Sequence, residues 1–372
     1  MKILTIISEA PPVKSGIARV AEKLSQGFSS HGFDMDILSL PDIPRVELGE
    51  FRFSSMPLRL HQLKDRFSSY DVIHLHGPVP TFSDSFLIWG LRGLDGKRPR
   101  LLYTHHAPIE LKHWGLRPFI KAYNYIQERM SNIADHVVVS TPAYGHRLGK
   151  YIDRGKLSVI PWGVDFDQYY APPEKDGSFT VVFLGQMRPY KGLPILLQAV
   201  QDIENIRIWV IGDGHSADEY RKLAAFLNIA DITFWGRLDD QEMISLLKQA
   251  HVIVLPSVTR SEAFGIALLE GMAAGLVPVA SHLPGVADVV GNEGMTFAPG
   301  DVRALNQILV RLRDDPSLRQ HLAHLAQAKA RLYSWERTVF EYERIICSWY
   351  PDEFTLPAFK RNIESHSFSI HQ

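Results

Sequence analysis

Two glutamates with seven residues between them, Glu262 and Glu270, stand in the stretch Val252–Ser281, VIVLPSVTRSEAFGIALLEGMAAGLVPVAS. VIVLP reads as a buried parallel strand, GIALLEGMAA as a helix that stops at Gly275, and VPVAS as the next strand. In such a unit ligands bind beyond the carboxyl ends of the strands, where helix N-termini point. The spacing places Glu262 just before the helix and Glu270 about two turns into it, with Phe264 and Gly265 at its start. One carboxylate then reaches a ligand beyond the helix end and the other reaches one lying along its first turns. Two hydroxyl acceptors beside a positive helix dipole suit a molecule carrying both sugar hydroxyls and phosphate. Paired carboxylates alone would equally suggest glycoside hydrolysis, with one acid and one nucleophile.

A second group decides between these. In FLGQMRPYKGLPILLQAV a buried strand ends at Gly185, a short loop carries Arg188 and Lys191, and a helix begins near Gly192. Two cations beside a helix N-terminus make a pyrophosphate site, able to stabilise charge on a departing phosphate. Taken alone, Arg-x-x-Lys is also what a solvated basic loop looks like; its place between strand and helix favours the site. Gly212-Asp213-Gly214 follows the strand IRIWVI, where glycine lets a ligand approach the backbone, although Gly-Asp-Gly is also a common turn. Gly236-Arg237 follows ITFW in the same relative position, so the two loops are expected side by side as a pocket for a base.

These groups need strands to carry them. Apolar runs alternate with amphipathic stretches throughout, which indicates α/β architecture. Strands are expected at KILTIIS, DMDILSL, DVIHLHG, RLLYTH, HVVVST and LSVIP in the first half. In the second they are expected at TVVFLGQ, IRIWVIGDG, ITFWGR, VIVLPS, VPVAS and MTFAP. Helical patterns lie between, among them Ala18–Phe28, Pro118–Ala134, Leu193–Val200, Ala217–Leu227 and Gln241–Gln249. The 372 residues favour two domains. YYAPPEKDGS, Tyr169–Ser178, reads as the linker between residues 1–168 and 179–335; residues 336–372 hold a last helix and tail.

A net charge of −1 gives no general polyanion-binding character, so no nucleic-acid partner is expected. The one cysteine, Cys347, rules out an internal disulfide and reads as a small core residue. The N-terminal apolar run is too short for a signal peptide or a membrane span. Lys14-Ser15-Gly16-Ile17 is a short glycine turn opening the first helix, without the full dinucleotide or P-loop pattern. His105-His106 end RLLYT at the carboxyl end of a first-half strand, facing the expected cleft. Zinc between His76 and His106 is conceivable, but no third ligand has metal-type spacing. Asp34-Met35-Asp36 matches a D-x-D metal motif but precedes its apolar run, away from the cleft, and Asp239-Asp240 reads as a helix cap. Lys97, Arg98, Arg100, Lys112, Arg117 and Lys121, interleaved with Trp114, Phe119, Tyr123 and Tyr125, fit either a membrane-surface patch or a solvated helix face.

In order along the chain, the turn at Gly16, THH at Thr104–His106, VIPWGVD at Val159–Asp165, GQMRPYKG, IGDG, WGRL, PSVTRSEAFGIALLEGMAAG and PGD at Pro299–Asp301 resemble glycosyltransferase family 4 over nearly the whole chain. The resemblance implies the GT-B fold: two Rossmann-like doubly wound domains facing across a cleft, with a last helix crossing back to the first, acceptor-binding domain. It implies retaining hexose transfer from a nucleoside-diphosphate sugar, GDP-mannose or a UDP-sugar, to a glycan or lipid-linked acceptor, without cofactor or metal. Arg188, Lys191 and the backbone at Gly16 would hold the diphosphate and Glu270 the ribose. Glu262 and His106 would meet the donor sugar, Gly212, Arg237 and Leu238 the nucleoside, and Phe264-Gly265 the helix end. Cytoplasmic placement follows, at the inner membrane face where the acceptor is lipid-linked. Two departures stand out: Trp162 where the family often has Asn, and Gly285 with Asp288 where many members have Gly-Gly and then Glu. A nucleotide-sugar epimerase, a sugar phosphorylase and a non-catalytic partner are the other readings of this architecture. The phosphorylase lacks a segment for a pyridoxal-binding lysine, and the intact Glu262, Glu270, Arg188 and Lys191 speak against the non-catalytic partner.

Overall fold

The computed structural model describes residues 1–11, 13, 15–39, 45–48, 51–54, 66–90, 98–110, 114–175 and 177–351. Continuous apolar runs are the mark of strands covered on both faces, and every such run forms a parallel strand. In the first half these are β1 (Lys2–Ile7), β2 (Asp34–Ser39), β5 (Val72–Gly77), β6 (Arg100–His105), β7 (His136–Val139) and β8 (Leu157–Val159). They make a six-stranded sheet in the order β2-β1-β5-β6-β7-β8. The second half repeats the construction with β9 (Phe179–Leu184), β10 (Ile206–Ile211), β11 (Ile232–Gly236), β12 (Val252–Leu255), β13 (Val277–Ser281) and β14 (Met295–Phe297). Their order is β11-β10-β9-β12-β13-β14. β3 (Arg45–Leu48) and β4 (Phe51–Ser54) pair antiparallel as a separate hairpin. It is not among the strands expected from sequence, although RVEL and FRF each alternate polar and apolar residues.

Helices cover both faces. The Gly16–Ser30 helix starts at Ser15, whose hydroxyl accepts from the Ala18 amide at 3.1 Å, and it buries Ala18, Val20, Ala21, Leu24 and Phe28. The second sheet is packed by Leu193–Val200, Ile266–Ala273, Val302–Asp314 and Pro316–Ala330, among others.

The last helix, Trp335–Ser348, returns to the first sheet. It lies against Gly16–Ser30, where a side chain at Gly27 would overlap Val339. Tyr342 meets Phe28 edge-on at 6.4 Å. Tyr350 donates to the Asp71 carbonyl at 2.8 Å. Two doubly wound units are therefore fastened together by a helix that belongs by sequence to the second and by packing to the first.

Candidate active site

In the second sheet the chain reverses direction between β9 and β12, and the loops leaving those two strands diverge there to open a crevice. The β9 loop carries Arg188 and Lys191, and the β12 loop carries Glu262. The two loops are locked together. Gly192, at φ 70°, lies so close to the Pro256 carbonyl that a side chain would overlap its oxygen. The Val258 amide donates to the Tyr190 carbonyl at 2.8 Å. Lys191, half-buried beside the Tyr190 ring, is ion-paired with Glu262, which also accepts from the Ser257 hydroxyl at 3.2 Å. Burial alone would lower the Lys191 ammonium, but Glu262 and Tyr190 outweigh it, and the group is held above its ordinary value as a firm cation. Arg188 reaches across the cleft to within 3.6 Å of Glu9, which follows β1.

Glu270 is the fifth residue of the Ile266–Ala273 helix, about one turn in rather than two, because the helix begins after Gly265, its N-cap. The carboxylate is almost wholly buried and faces the first domain. Arg19 Nη1 lies 2.6 Å from it and the Tyr169 hydroxyl donates to it at 3.0 Å. Arg19 also bonds the Tyr169 hydroxyl at 2.9 Å and approaches Asp240 at 3.3 Å. Burial lifts the Glu270 carboxyl above its ordinary value, opposed by Arg19 and Tyr169. Reciprocally, Glu270 is the largest cause that raises the Arg19 guanidinium.

Gly16, the first residue of its helix, faces Ile266, the first residue of the helix across the cleft: a Cβ on Gly16 would sit 3.7 Å from Ile266 Cδ1. Two helix N-termini thus meet between the domains, the second beginning four residues after Glu262, the partner of Lys191. That concentrates positive potential in the space the two glutamates border, which suits a diphosphate joined to hydroxyl-bearing groups.

The other expected residues fall as follows. The β10 and β11 loops do lie side by side, the Gly212 amide donating to the Gly236 carbonyl at 2.8 Å. Gly212, at φ 126°, is required first by the chain itself, since a side chain there would overlap the Gly185 carbonyl oxygen. Arg237 is exposed beyond β11 and Leu238 is partly buried beside it. Phe264 points into the core against Tyr333, ring centroids 6.3 Å apart, so only its backbone is offered to the cleft.

His106 lies partly open at the end of β6, while His105 is wholly buried. The His106 ring stacks on His76, Nε2 to Nδ1 3.0 Å, and leans on Trp162 at 5.8 Å. Burial holds His106 down at about 4, so at neutral pH it is an uncharged imidazole. Trp162, the departure from the family pattern, is buried and stacked on Tyr342 at 6.3 Å; it forms the wall behind His106. Gly285 and Asp288 build the domain junction, Asp288 accepting from the Ala143 amide at 2.8 Å near the start of the Pro142–Leu148 helix.

Among the described residues no group of three or more His, Cys, Asp or Glu is placed to hold a metal ion. Asp34 starts β2 at its amino end, as its position before the apolar run implied, and Asp36 accepts from Tyr70. Asp239 caps Asp240–Leu247 in a reciprocal capping box with Glu242. In the basic stretch, Arg98 and Arg100 are both bound to Asp135 at 3.1 Å; Lys97 and Lys112 lie outside the described residues. No helix among the described residues is long and apolar enough to cross a membrane.

Three site residues escape sequence reasoning. Arg19 is one polar residue on an amphipathic helix, Glu9 one acid in a loop, and Tyr169 the first residue of the expected linker. In the structure Tyr169 instead ends the short helix Phe166–Tyr169. Only Arg19's place one turn after Gly16 could have flagged it.

Comparison with known proteins extends over both halves. The family described as Glycosyltransferase Family 4 matches residues 14–168, and that described as Glycosyl transferases group 1 matches residues 167–329. The D-rhamnosyltransferase WbpZ of Pseudomonas aeruginosa is 30% identical over 345 residues, covering 85% of this chain and 87% of that protein. The O-antigen chain mannosyltransferase C of Escherichia coli is 32% identical over 291 residues, 70% of this chain and 74% of the other. Among solved structures, a sucrose-phosphate synthase from Thermosynechococcus elongatus superposes with a TM-score of 0.75 at 19% identity, over 94% of this chain and 100% of that one. HepE of Anabaena, in complex with UDP-glucose, gives 0.71 at 17% identity, also over 94% and 100%. A doubly wound unit on each side of a cleft, a helix that returns across it and a relative matched almost end to end lead to one assignment: the chain belongs to the family 4 glycosyltransferases, enzymes of the GT-B fold.

Proposed function

We propose that this glycosyltransferase moves a hexose from a nucleoside-diphosphate sugar to a hydroxyl of a glycan or lipid-linked acceptor, with retention at the anomeric carbon and without a metal ion. The observation that supports the reading is the meeting of two helix N-termini at a cleft bordered by Arg188, Lys191, Glu262 and Glu270. The cations and helix ends would take up the charge that grows on the diphosphate as its bond to the sugar breaks, the role a divalent ion fills elsewhere. The acceptor hydroxyl would attack from the face the diphosphate leaves, and its proton would pass to the departing phosphate oxygen. Lys191, already bound to Glu262, ties that leaving group to the carboxylate assigned to the sugar. Glu270 would bind the ribose hydroxyls, sharing them with Arg19 or releasing it. His106, uncharged, would donate or accept a hydrogen bond at the sugar. Gly16, Gly212, Arg237, Leu238, Phe264 and Gly265 would contribute mainly backbone.

The relatives named mannosyl- and rhamnosyltransferase favour GDP-mannose, and the neighbour solved with UDP-glucose keeps UDP-sugars beside it. A thermal-shift panel of nucleotide sugars separates them: a donor at about 100 times its dissociation constant adds about 2.7 kcal/mol. With that donor, Lys191→Ala is expected to slow transfer of the sugar by about 100-fold or more, roughly 3 kcal/mol of lost charge stabilisation. Turnover near wild type would reject the assignment. Turnover abolished by a chelator and restored by a divalent ion would reject the metal-free mechanism.

Peripheral membrane contact is the remaining part of the reading. On the Arg117–Met130 helix Phe119 is 72% exposed and Ile126 55% exposed, and both lie on one side of it, as residues seven apart must. An apolar stripe of this kind, with Arg129 nearby, suits an interfacial site at a lipid surface.

A further inference from the structure

The Arg117–Met130 helix has a second surface. Arg117, Lys121, Asn124, Tyr125 and Glu128 recur at three- and four-residue steps and so share one face, turned away from Phe119 and Ile126. That face lines a cavity of about 690 Å³ whose far wall is Val258, Thr259 and Arg260 of the second domain. The cavity is attached to the candidate active site at both walls. Ile109 and Glu110 follow His106 by three and four residues, and Thr259 and Arg260 precede Glu262 by three and two. Asn124 pins the first wall, accepting from the Ile109 amide at 3.0 Å and donating to its carbonyl at 2.8 Å. Glu110 joins the walls, accepting from the Arg260 amide at 2.8 Å.

The charges inside are not balanced. Arg147 is bound to Glu128 at 2.7 Å and Arg260 lies 3.4 Å from Glu110. Arg117 and Lys121, four residues apart on the cavity face, have no carboxylate partner among the described residues. Tyr125 and Tyr151 stand edge-to-face at 5.9 Å on the same side. The Thr259 hydroxyl is buried and unpartnered. A pair of unneutralised cations with aromatic rings is a recognition surface for an anionic sugar derivative.

We infer that this cavity seats an acceptor that carries a phosphate group, the phosphate on Arg117 and Lys121 and a sugar ring against Tyr125 and Tyr151. This rests on the transfer reaction proposed above and names its acceptor class. The phosphate could belong to a sugar phosphate or to the diphosphate of a lipid-linked saccharide, and the probes separate the two.

The test is calorimetric titration of the full-length protein saturated with GDP or UDP, whichever stabilises it more, so that the donor diphosphate site is filled. The probes are mannose 6-phosphate, N-acetylglucosamine linked by a diphosphate to a decyl chain, and the uncharged decyl glucoside. At least one phosphate probe should bind about tenfold or more tighter than decyl glucoside, the yield expected of charge-assisted hydrogen bonds. Which of them does so assigns the phosphate to the glycan or to the lipid linkage. Arg117→Gln with Lys121→Gln should erase that preference while nucleoside diphosphate affinity stays within about twofold. Equal binding of charged and uncharged probes, or a preference that survives the double substitution, overturns the inference. If neither nucleoside diphosphate stabilises the wild type, the donor reading fails, and that outcome is visible before any acceptor probe is added.

Discussion

Replacing Arg19 by Ala should reveal how Glu270 is held. At 2.6 Å the gross attraction between guanidinium and carboxylate is about 6 kcal/mol at an effective dielectric near 20. Even so, burial keeps the Glu270 carboxyl above its ordinary value, so the attraction does not fully offset the loss of water. Without Arg19 the carboxylate retains, among the described residues, the Tyr169 hydroxyl alone. The side chain of Arg19 is 23% exposed, which places the cost toward the low end for breaking a buried pair, about 3 kcal/mol at roughly pH 8. Its pH dependence has a definite sign. A carboxyl whose folded value is raised contributes stability that is complete below its unfolded value and is lost as pH rises through the folded one. Arg19→Ala raises that folded value further, so the deficit should be small near pH 5 and grow through neutrality. Adding Glu270→Gln removes the charge and should return the protein to within about 1 kcal/mol of the Gln single variant. Urea unfolding of the wild type, both single variants and the double variant at the two pH values measures all of this. An Arg19→Ala protein within about 0.5 kcal/mol of wild type at pH 8, or one that Glu270→Gln does not rescue, would refute the reasoning.

The remaining predictions concern the histidine cluster, the hinge and the exposed helix. Burial depresses His74 and His105 to about 3 and His106 to about 4, so their stabilisation is present above about 6.5 and is lost as pH falls towards those values. Between about pH 7 and 5.5 each loses about 1.3 kcal/mol, and buried Asp84, raised to about 6, returns about 0.8. His76, His136 and His251, also lowered by burial, push the same way, so urea stability should fall by at least about 3 kcal/mol, and a flat profile would contradict the burial of the imidazoles. Gly163→Ala places a methyl group into the Trp335 backbone and should destabilise the protein by about 1–3 kcal/mol, with no change in urea midpoint as the disproof. Phe119→Ser with Ile126→Ser should weaken partition onto anionic vesicles by about tenfold or more, given roughly 1.5–3 kcal/mol per buried large apolar side chain; equal partition would remove the membrane surface from the account.

The strands of both sheets and the loops after β9 and β12 could be read from sequence because each depends on local pattern: an apolar run, then glycine and charge, then a helical period. Glu262, Arg188 and Lys191 lie in those loops and were found with them. Arg19, Tyr169 and Glu9 act through partners 251, 101 and about 180 residues away, and no local pattern records that. Trp162 shows the same limit from the other side. Its departure from the family pattern marks the position but not its role: the ring is buried between His106 and Tyr342. The effect of Trp162 on the cleft passes through the histidine that it supports. The acceptor cavity was equally hidden: Arg117 and Lys121 read as part of one basic stretch, until the helix separated them from Phe119 and Ile126.

The domain junction divides physically into two kinds of contact. At the hinge the chain crosses near Trp162 and returns near Trp335, and both crossings are packed together. Gly163 lies against the Trp335 backbone, the Val164 amide donates to the Tyr333 carbonyl at 3.0 Å, and Thr338 donates to the Pro161 carbonyl at 2.8 Å. Tyr342 carries this into the site, stacked on Trp162 and hydrogen-bonded at 2.9 Å to Thr104, two residues before His106. Those contacts are apolar or satisfied in the interior, and separating them would expose surface with no compensation from water. At the mouth the contacts are ionic: Arg19 with Glu270 and Asp240, Arg188 with Glu9, Arg260 with Glu110. Charged groups regain hydration when they part, so opening there costs far less than the gross attraction. The hinge therefore holds its geometry, and the mouth is the part that opens at lower cost. On that reasoning, a nucleoside diphosphate should loosen the pairs at the mouth and leave the Trp162–Tyr342 stack, and with it the orientation of His106, unchanged.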